Sequence, residues 1–95
     1  MNLQDAWEKY DDEYIQFDRV EIKFSQRRDL HAFILLDKLV PGSKENFVAA
    51  AEHDEIWLST SPEDLEKVVT EAQIIELIRC GVRYDSSLES FCMFV

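Results

Sequence analysis

The stretch from Thr60 to Val82, TSPEDLEKVVTEAQIIELIRCGV, constrains the fold more than any other part of the chain, because it holds the clearest start, break and stop signals. Ser61 can cap a helix, and Pro62 suits the first helical position, where a missing N–H costs nothing. Asp64 follows Ser61 at capping-box spacing, and Glu63 adds negative charge where the helix dipole favours it. Gly81 after Cys80 is a stop signal, with Arg79 well placed near the carbonyl end. Inside the stretch, Thr70 with Gln73 three residues on repeats the start signal. At about 100° per residue, Leu65, Val68 and Val69 share one face, whereas Ile74, Ile75, Leu77 and Ile78 centre roughly 150° away. A straight helix would expose one of these faces, and a break at Thr70 turns both inward. The spacing predicts two short helices, 62–69 and 71–80.

The N-terminal part reads as an amphipathic helix. Leu3, Ala6, Trp7, Tyr10, Tyr14 and Phe17 fall within about 100° of one another on a helical wheel, opposite Asp5, Glu8, Asp11, Asp12 and Glu13. The aromatic stripe is expected to pack inward, with a partner-docking face as the alternative. After a turn at Asp18-Arg19, Val20, Ile22 and Phe24 alternate with Glu21 and Lys23, which predicts a strand with one wet face. Ser25 is placed to cap a helix whose apolar residues, Leu30 to Val40, point nearly all round and predict burial; Pro41-Gly42 ends it. Arg27 and Arg28 sit at its first turn, where the dipole disfavours cations, so they are expected in solvent or against acids of neighbouring elements.

Asn46–Ala51 would suit a helix by alanine content, yet Ile56-Trp57-Leu58 is strongly strand-like, and a short strand needs a neighbour. A hairpin is therefore expected, with strands near 46–51 and 55–59 and a turn at Glu52-His53-Asp54. Val82 to Asp85 reads as a polar turn. The final run, Phe91-Cys92-Met93-Phe94-Val95, is apolar at both parities. That pattern marks a strand covered on both faces, either central in a sheet or against a partner subunit. The expected fold is one small α+β domain over residues 1–95. It has about four to five mainly antiparallel strands packed with about three to four helices, in the order α-β-α-β-β-α-α-β-β.

Charge bounds the partners. Twenty acids against ten bases give a net charge of −10, which works against direct binding of nucleic acid or an anionic membrane and favours basic proteins. The charge is uneven: residues 1–18 carry −5, residues 19–44 carry +3, residues 45–76 carry −8, and residues 77–95 carry none. The chain starts without the basic and apolar regions of a secretory signal, and its longest apolar run is five residues, so a cytoplasmic location without a membrane span is expected. Cys80 and Cys92 lie in apolar contexts and read as reduced core thiols.

The signatures of catalysis are sparse. Two isolated glycines cannot build a phosphate loop, and there is neither a Cys-x-x-Cys nor a histidine pair at ligand spacing. His31, between Leu30 and Ala32, reads as structural. His53 lies in Glu-His-Asp-Glu, but adjacent strand residues point to opposite faces, so at most two of those four groups converge. No catalytic residue, metal or cofactor is expected.

Three acidic clusters remain: Asp11, Asp12 and Glu13; Glu52, Asp54 and Glu55; Glu63, Asp64 and Glu66. Carboxylates along a short helix lie several ångströms apart, on the scale of successive phosphates in a nucleic-acid strand. With Trp7, Tyr10, Tyr14 or Trp57 as fixed anchors, such rows can occupy a cationic groove in place of DNA or RNA. The expected function is a small acidic inhibitor of a basic nucleic-acid-handling protein, such as a nuclease or CRISPR effector. Phage anti-defence proteins of the anti-CRISPR or anti-restriction kind, and immunity proteins against nuclease toxins, share this size and charge, a likeness of composition rather than of motif. The alternatives are a homodimeric adaptor, joined through Phe91–Val95 or the N-terminal helix, and a small enzyme or metal protein using His53.

Overall fold

The computed structural model describes residues 2–42 and 46–95. In chain order it holds α1 (Leu3–Lys9), two 3₁₀ turns (Asp11–Glu13 and Phe17–Arg19), α2 (Arg28–Leu39), β1 (Val48–Glu52), β2 (Glu55–Leu58), α3 (Pro62–Val68), α4 (Glu71–Arg79), β3 (Arg83–Asp85) and β4 (Ser90–Phe94). The strands form one antiparallel sheet in the order β1-β2-β4-β3. This is the expected small α+β architecture, with four helices and a four-stranded antiparallel sheet; the one strand expected early in the chain is missing.

The two-helix reading of 60–82 holds. The Ser61 hydroxyl accepts the Asp64 N–H at 3.3 Å, and Thr70 and Gln73 form a full capping box. Val69, between them, is extended with ψ 141°, which breaks the rod. Leu65, Val69, Ile74, Leu77 and Ile78 are all buried, although Val68 turns half outward. Each large aliphatic side chain so buried stabilises the fold by about 1.5–3 kcal/mol. The chain leaves α4 through a Schellman motif, with Val82 N–H donating to the Leu77 carbonyl, Gly81 N–H donating to the Ile78 carbonyl, and Gly81 at φ 96°.

β4 is the central strand its composition called for. Phe91 and Met93 join the helix-facing core, while Cys92 lies on the opposite side of the sheet, in register with Trp57 on β2 and Arg83 on β3. Phe91, Cys92 and Met93 are all buried. The hairpin is also present, with His53-Asp54 closing β1 onto β2 and His53 at φ 50°. Val82 to Asp85, expected as a polar turn, instead supplies β3. Three residues were too short a run to show alternation, and it is the pairing with Ser90–Cys92 that makes them a strand.

The N-terminal helix is shorter than its wheel suggests. It stops at Lys9, and Tyr14 and Phe17 reach the core from the irregular segment that follows. Ile15 sits at φ 61°, and its N–H donates to the Ile78 carbonyl at the end of α4. Docking against α4 thus outweighs helix continuation. Residues 20–24 form no strand. The Phe24 N–H donates to His31 Nδ1 at 3.0 Å, and its ring stacks on the imidazole with centroids 4.8 Å apart. Val20 is buried, but Ile22 is largely exposed. The Phe24 amide is satisfied by a side chain of α2, and the segment pairs with no strand.

Ser25 does not cap α2. Its hydroxyl accepts the Arg27 N–H, and the helix begins at Arg28 without a side-chain cap. Leu30, expected in a buried helix, is exposed, and the buried side is His31, Ala32, Leu35 and Leu36. Arg28 explains its awkward position by reaching the Cys80 carbonyl at 3.4 Å, at the negative end of α4, rather than an acid.

Candidate partner-binding surface

Two adjoining clefts run along one side of the molecule. The first, about 420 Å³, lies between α1, the segment after it and the α4–β3 junction; Trp7, Tyr14, Tyr84, Glu8 and Asp11 are among its walls. The second, about 370 Å³, shares Gln4, Tyr84 and Ser86 with it and continues to Glu63, Glu66 and Glu89. Five carboxylates, drawn from α1, the first 3₁₀ turn, α3 and the β3–β4 turn, therefore line one trough.

Local structure fixes each wall. Asn2 caps α1 by accepting the Asp5 N–H, and the Trp7 indole donates to the Val82 carbonyl at 2.9 Å. The Trp7 ring also packs on Phe91, with centroids 5.4 Å apart, and on Tyr84 at 6.2 Å. On the β3–β4 turn, the Asp85 carboxylate accepts the Ser87 hydroxyl at 2.6 Å and the Ser87 and Leu88 N–H groups. These donors hold the Asp85 carboxyl below its ordinary range and fix the turn that carries Glu89. Burial pushes the Tyr84 hydroxyl above the ordinary phenol range, and Glu89, Glu66 and Asp85 push it further. The trough is thus a region of negative potential around an aromatic wall.

One cation, Arg83, lines the first cleft itself, with its guanidinium bonded to Glu55, and the lysines nearby are weakly held. Arg83 donates to Glu55 at 2.8 Å and lies over the Phe94 ring at 4.7 Å. Lys67 and Lys9 make long, exposed pairs with Glu63 and Glu71, at 3.9 and 3.7 Å, of the kind that contribute little. Among the described residues, Glu8, Asp11, Glu66 and Glu89 enter no ion pair.

The expected binding residues divide accordingly. Asp11, Glu63 and Glu66 line the trough. Asp12 and Asp64 are exposed beside it in sequence but line neither cleft. Glu13 is spent inside the fold: it accepts from Arg79 at 2.9 Å and from Arg19 at 3.1 Å, and Arg79 ahead of Arg19 holds its carboxyl below the usual range. Glu55 is spent on Arg83. Glu52 and Asp54 sit at the β1–β2 hairpin end. Tyr10 packs at the margin of the core, with Lys9 Nζ 5.1 Å from its ring centroid. Trp57 lies on the sheet face opposite the helices, and its Nε1 is buried without a hydrogen-bond partner among the described residues.

The trough residues missed by sequence reasoning are Glu8, Tyr84 and Glu89. Glu8 was visible only as one of several outer-face acids. Tyr84 would have emerged had 82–85 been read as a strand.

The chain matches no described protein family, no curated protein and no solved structure. Among the described residues, no group of three or more His, Cys, Asp or Glu side chains is arranged to hold a metal. Burial drives the Cys80 thiol up to about 12, with Glu76 adding to the effect, and burial likewise raises Cys92. Both thiols are thus kept from the reactive thiolate form. His31 is fully buried with both ring nitrogens engaged, by the Phe24 N–H and by Glu76 at 2.7 Å. Among the described residues, no helix is long and apolar enough to cross a membrane.

Proposed function

We propose that this chain is a small acidic inhibitor that occupies the basic, nucleic-acid-handling surface of another protein, in the manner of phage anti-defence or nuclease-immunity proteins. The observation that supports it is the trough: carboxylates from four separate elements converge on one groove while the nearby arginine is tied to Glu55. A groove so lined presents clustered negative charge to a cationic surface and steers encounter with it. Purified nucleases and CRISPR effectors, tested against the immobilised chain, provide the test. Binding that weakens as salt is raised and is displaced by a duplex DNA oligonucleotide is the expected result; capture indifferent to both salt and DNA, or no capture at all, counts against it.

A homodimeric adaptor is the second reading, and β1 favours it. All five of its residues are exposed at the sheet's outer edge, with neither lysine nor proline to guard them. β4 is bonded on both sides, so strand pairing with a second copy would fall to β1 rather than to Phe91–Val95. Light scattering over a concentration series decides: a strict monomer removes this reading.

A further inference from the structure

The first cleft is not merely acidic. Three aromatic side chains, Trp7, Tyr14 and Tyr84, line it together with Ile78 and Val82, and Glu8 and Asp11 stand at exposed positions beside them. Glu8, Asp11 and Tyr14 follow one another at intervals of three, which keeps them on one side of α1 and the 3₁₀ turn after it. Gln4 donates to Glu8 at 3.4 Å and leans it along the helix. The ring faces attract a cation, and the two carboxylates attract it further. An anion entering here would meet Glu8 and Asp11 directly, with Glu66 and Glu89 in the adjoining cleft.

We infer that this cleft receives the guanidinium of a single arginine side chain presented by a partner protein. The inference rests on the function proposed above and names the group that would anchor it. A guanidinium is planar and weakly hydrated, stacks on aromatic faces and donates in several directions at once, whereas an ammonium is compact and strongly hydrated. The cleft brings together the kinds of group that such a planar cation binds: aromatic side chains, two carboxylates and tyrosine hydroxyls. The molecule already uses this chemistry once, where Arg83 donates to Glu55 while lying over Phe94. Arg83 also lines this cleft, but its guanidinium is engaged by Glu55, and Glu8 and Asp11 enter no ion pair among the described residues.

The test needs no identified partner. The full chain is titrated with the peptide acetyl-Gly-Arg-Gly-amide and with its lysine and citrulline counterparts, at low salt, and followed by amide and indole NMR. The arginine peptide is expected to shift the Trp7 indole, Asp11 and Tyr84 signals saturably while leaving the Trp57 indole still. Lysine should bind several-fold more weakly, and citrulline, which keeps the shape without the charge, not at all. The exposed double variant Glu8→Gln, Asp11→Asn keeps the fold and weakens the arginine peptide by about three- to tenfold. Equal shifts from citrulline, equal affinity for lysine, no shifts at Trp7, or unchanged affinity in the double variant would each overturn the inference. Free arginine binding more tightly than the peptide overturns it too, by assigning the cleft to a small molecule. A negative peptide titration beside salt-dependent capture of a nuclease would remove the arginine anchor and leave the broader function standing; the reverse pattern would do the opposite.

Discussion

Replacing Glu76 by glutamine tests how the buried histidine is held. His31 is fully buried, and its Nδ1 lies 3.0 Å from the Phe24 amide nitrogen. A backbone N–H only donates, so Nδ1 is the acceptor and the ring's proton sits on Nε2, pointing at Glu76 Oε2 2.7 Å away. The pair is thus a neutral imidazole donating to a carboxylate, not a salt bridge. Glutamine can still accept from Nε2–H through its amide oxygen. What is lost is the difference between a hydrogen bond to a charged acceptor, about 1.5–3 kcal/mol, and one to a neutral acceptor, about 0.5–1.5 kcal/mol, hence about 1 kcal/mol. Were the ring an imidazolium, Glu76→Gln would strand a buried charge and cost about 3–5 kcal/mol. With a urea slope near the low end for small proteins, about 1 kcal/mol per M, the midpoint at pH 7 should fall by about 1 M. A fall of about 3 M or more, or a variant that does not fold, would refute the neutral tautomer. A long-range proton–nitrogen correlation that places the His31 proton on Nδ1 would refute it independently.

Three other perturbations follow from the same packing. Gly81→Ala forces an L-residue to φ 96° and brings its Cβ to 2.8 Å from Arg28 Nη1, so a loss of about 1–3 kcal/mol is expected, read as a thermal midpoint lower by several degrees per kcal/mol. Glu13→Gln should destabilise the fold at neutral pH. Because Arg79 and Arg19 depress the native carboxyl, the stability that Glu13 contributes is present above the unfolded-state value and is lost as pH falls through the native one, so the gap between wild type and variant closes in acid. A gap that is constant with pH would show that the bridge is not electrostatic. Cys80 and Cys92, buried and raised, should resist iodoacetamide in native buffer and react at the rate of global unfolding; rapid native labelling of Cys80 would contradict its burial.

What was legible in the sequence was local. Thr70 with Gln73, Ser61 before Pro62, and Gly81 after Cys80 encode caps and a stop within a few residues of one another, and those features appear as written. Phe91 to Met93 announced a central strand because both parities were apolar. What was not legible depended on partners distant in sequence. Residues 20–24 alternate like a strand, but a single acceptor on His31 and the stacking of Phe24 hold them on α2. Tyr14 and Phe17 fit the α1 wheel, but the Ile78 carbonyl captures the Ile15 N–H and bends the chain away. Nothing in either segment's own spacing reveals those partners.

The site was half legible for the same reason. Composition showed the acids but not which of them the fold consumes. Glu13 and Glu55 looked like their neighbours in sequence, yet each meets an arginine from another element, and those pairings pin the α1–α2 segment to α4 and β3 to β2. Arg19, Arg79 and Arg83 go into these bridges, and Arg28 goes to the Cys80 carbonyl. Four of the cations that could have offset the trough are therefore used to build the scaffold. The surplus charge is left where Glu8, Asp11, Glu66 and Glu89 line one groove. Like charges gathered this way work against the compact state. A positively charged surface from outside the chain would relieve that repulsion, so a basic partner should stabilise this fold as it binds, and should do so less as salt screens both effects.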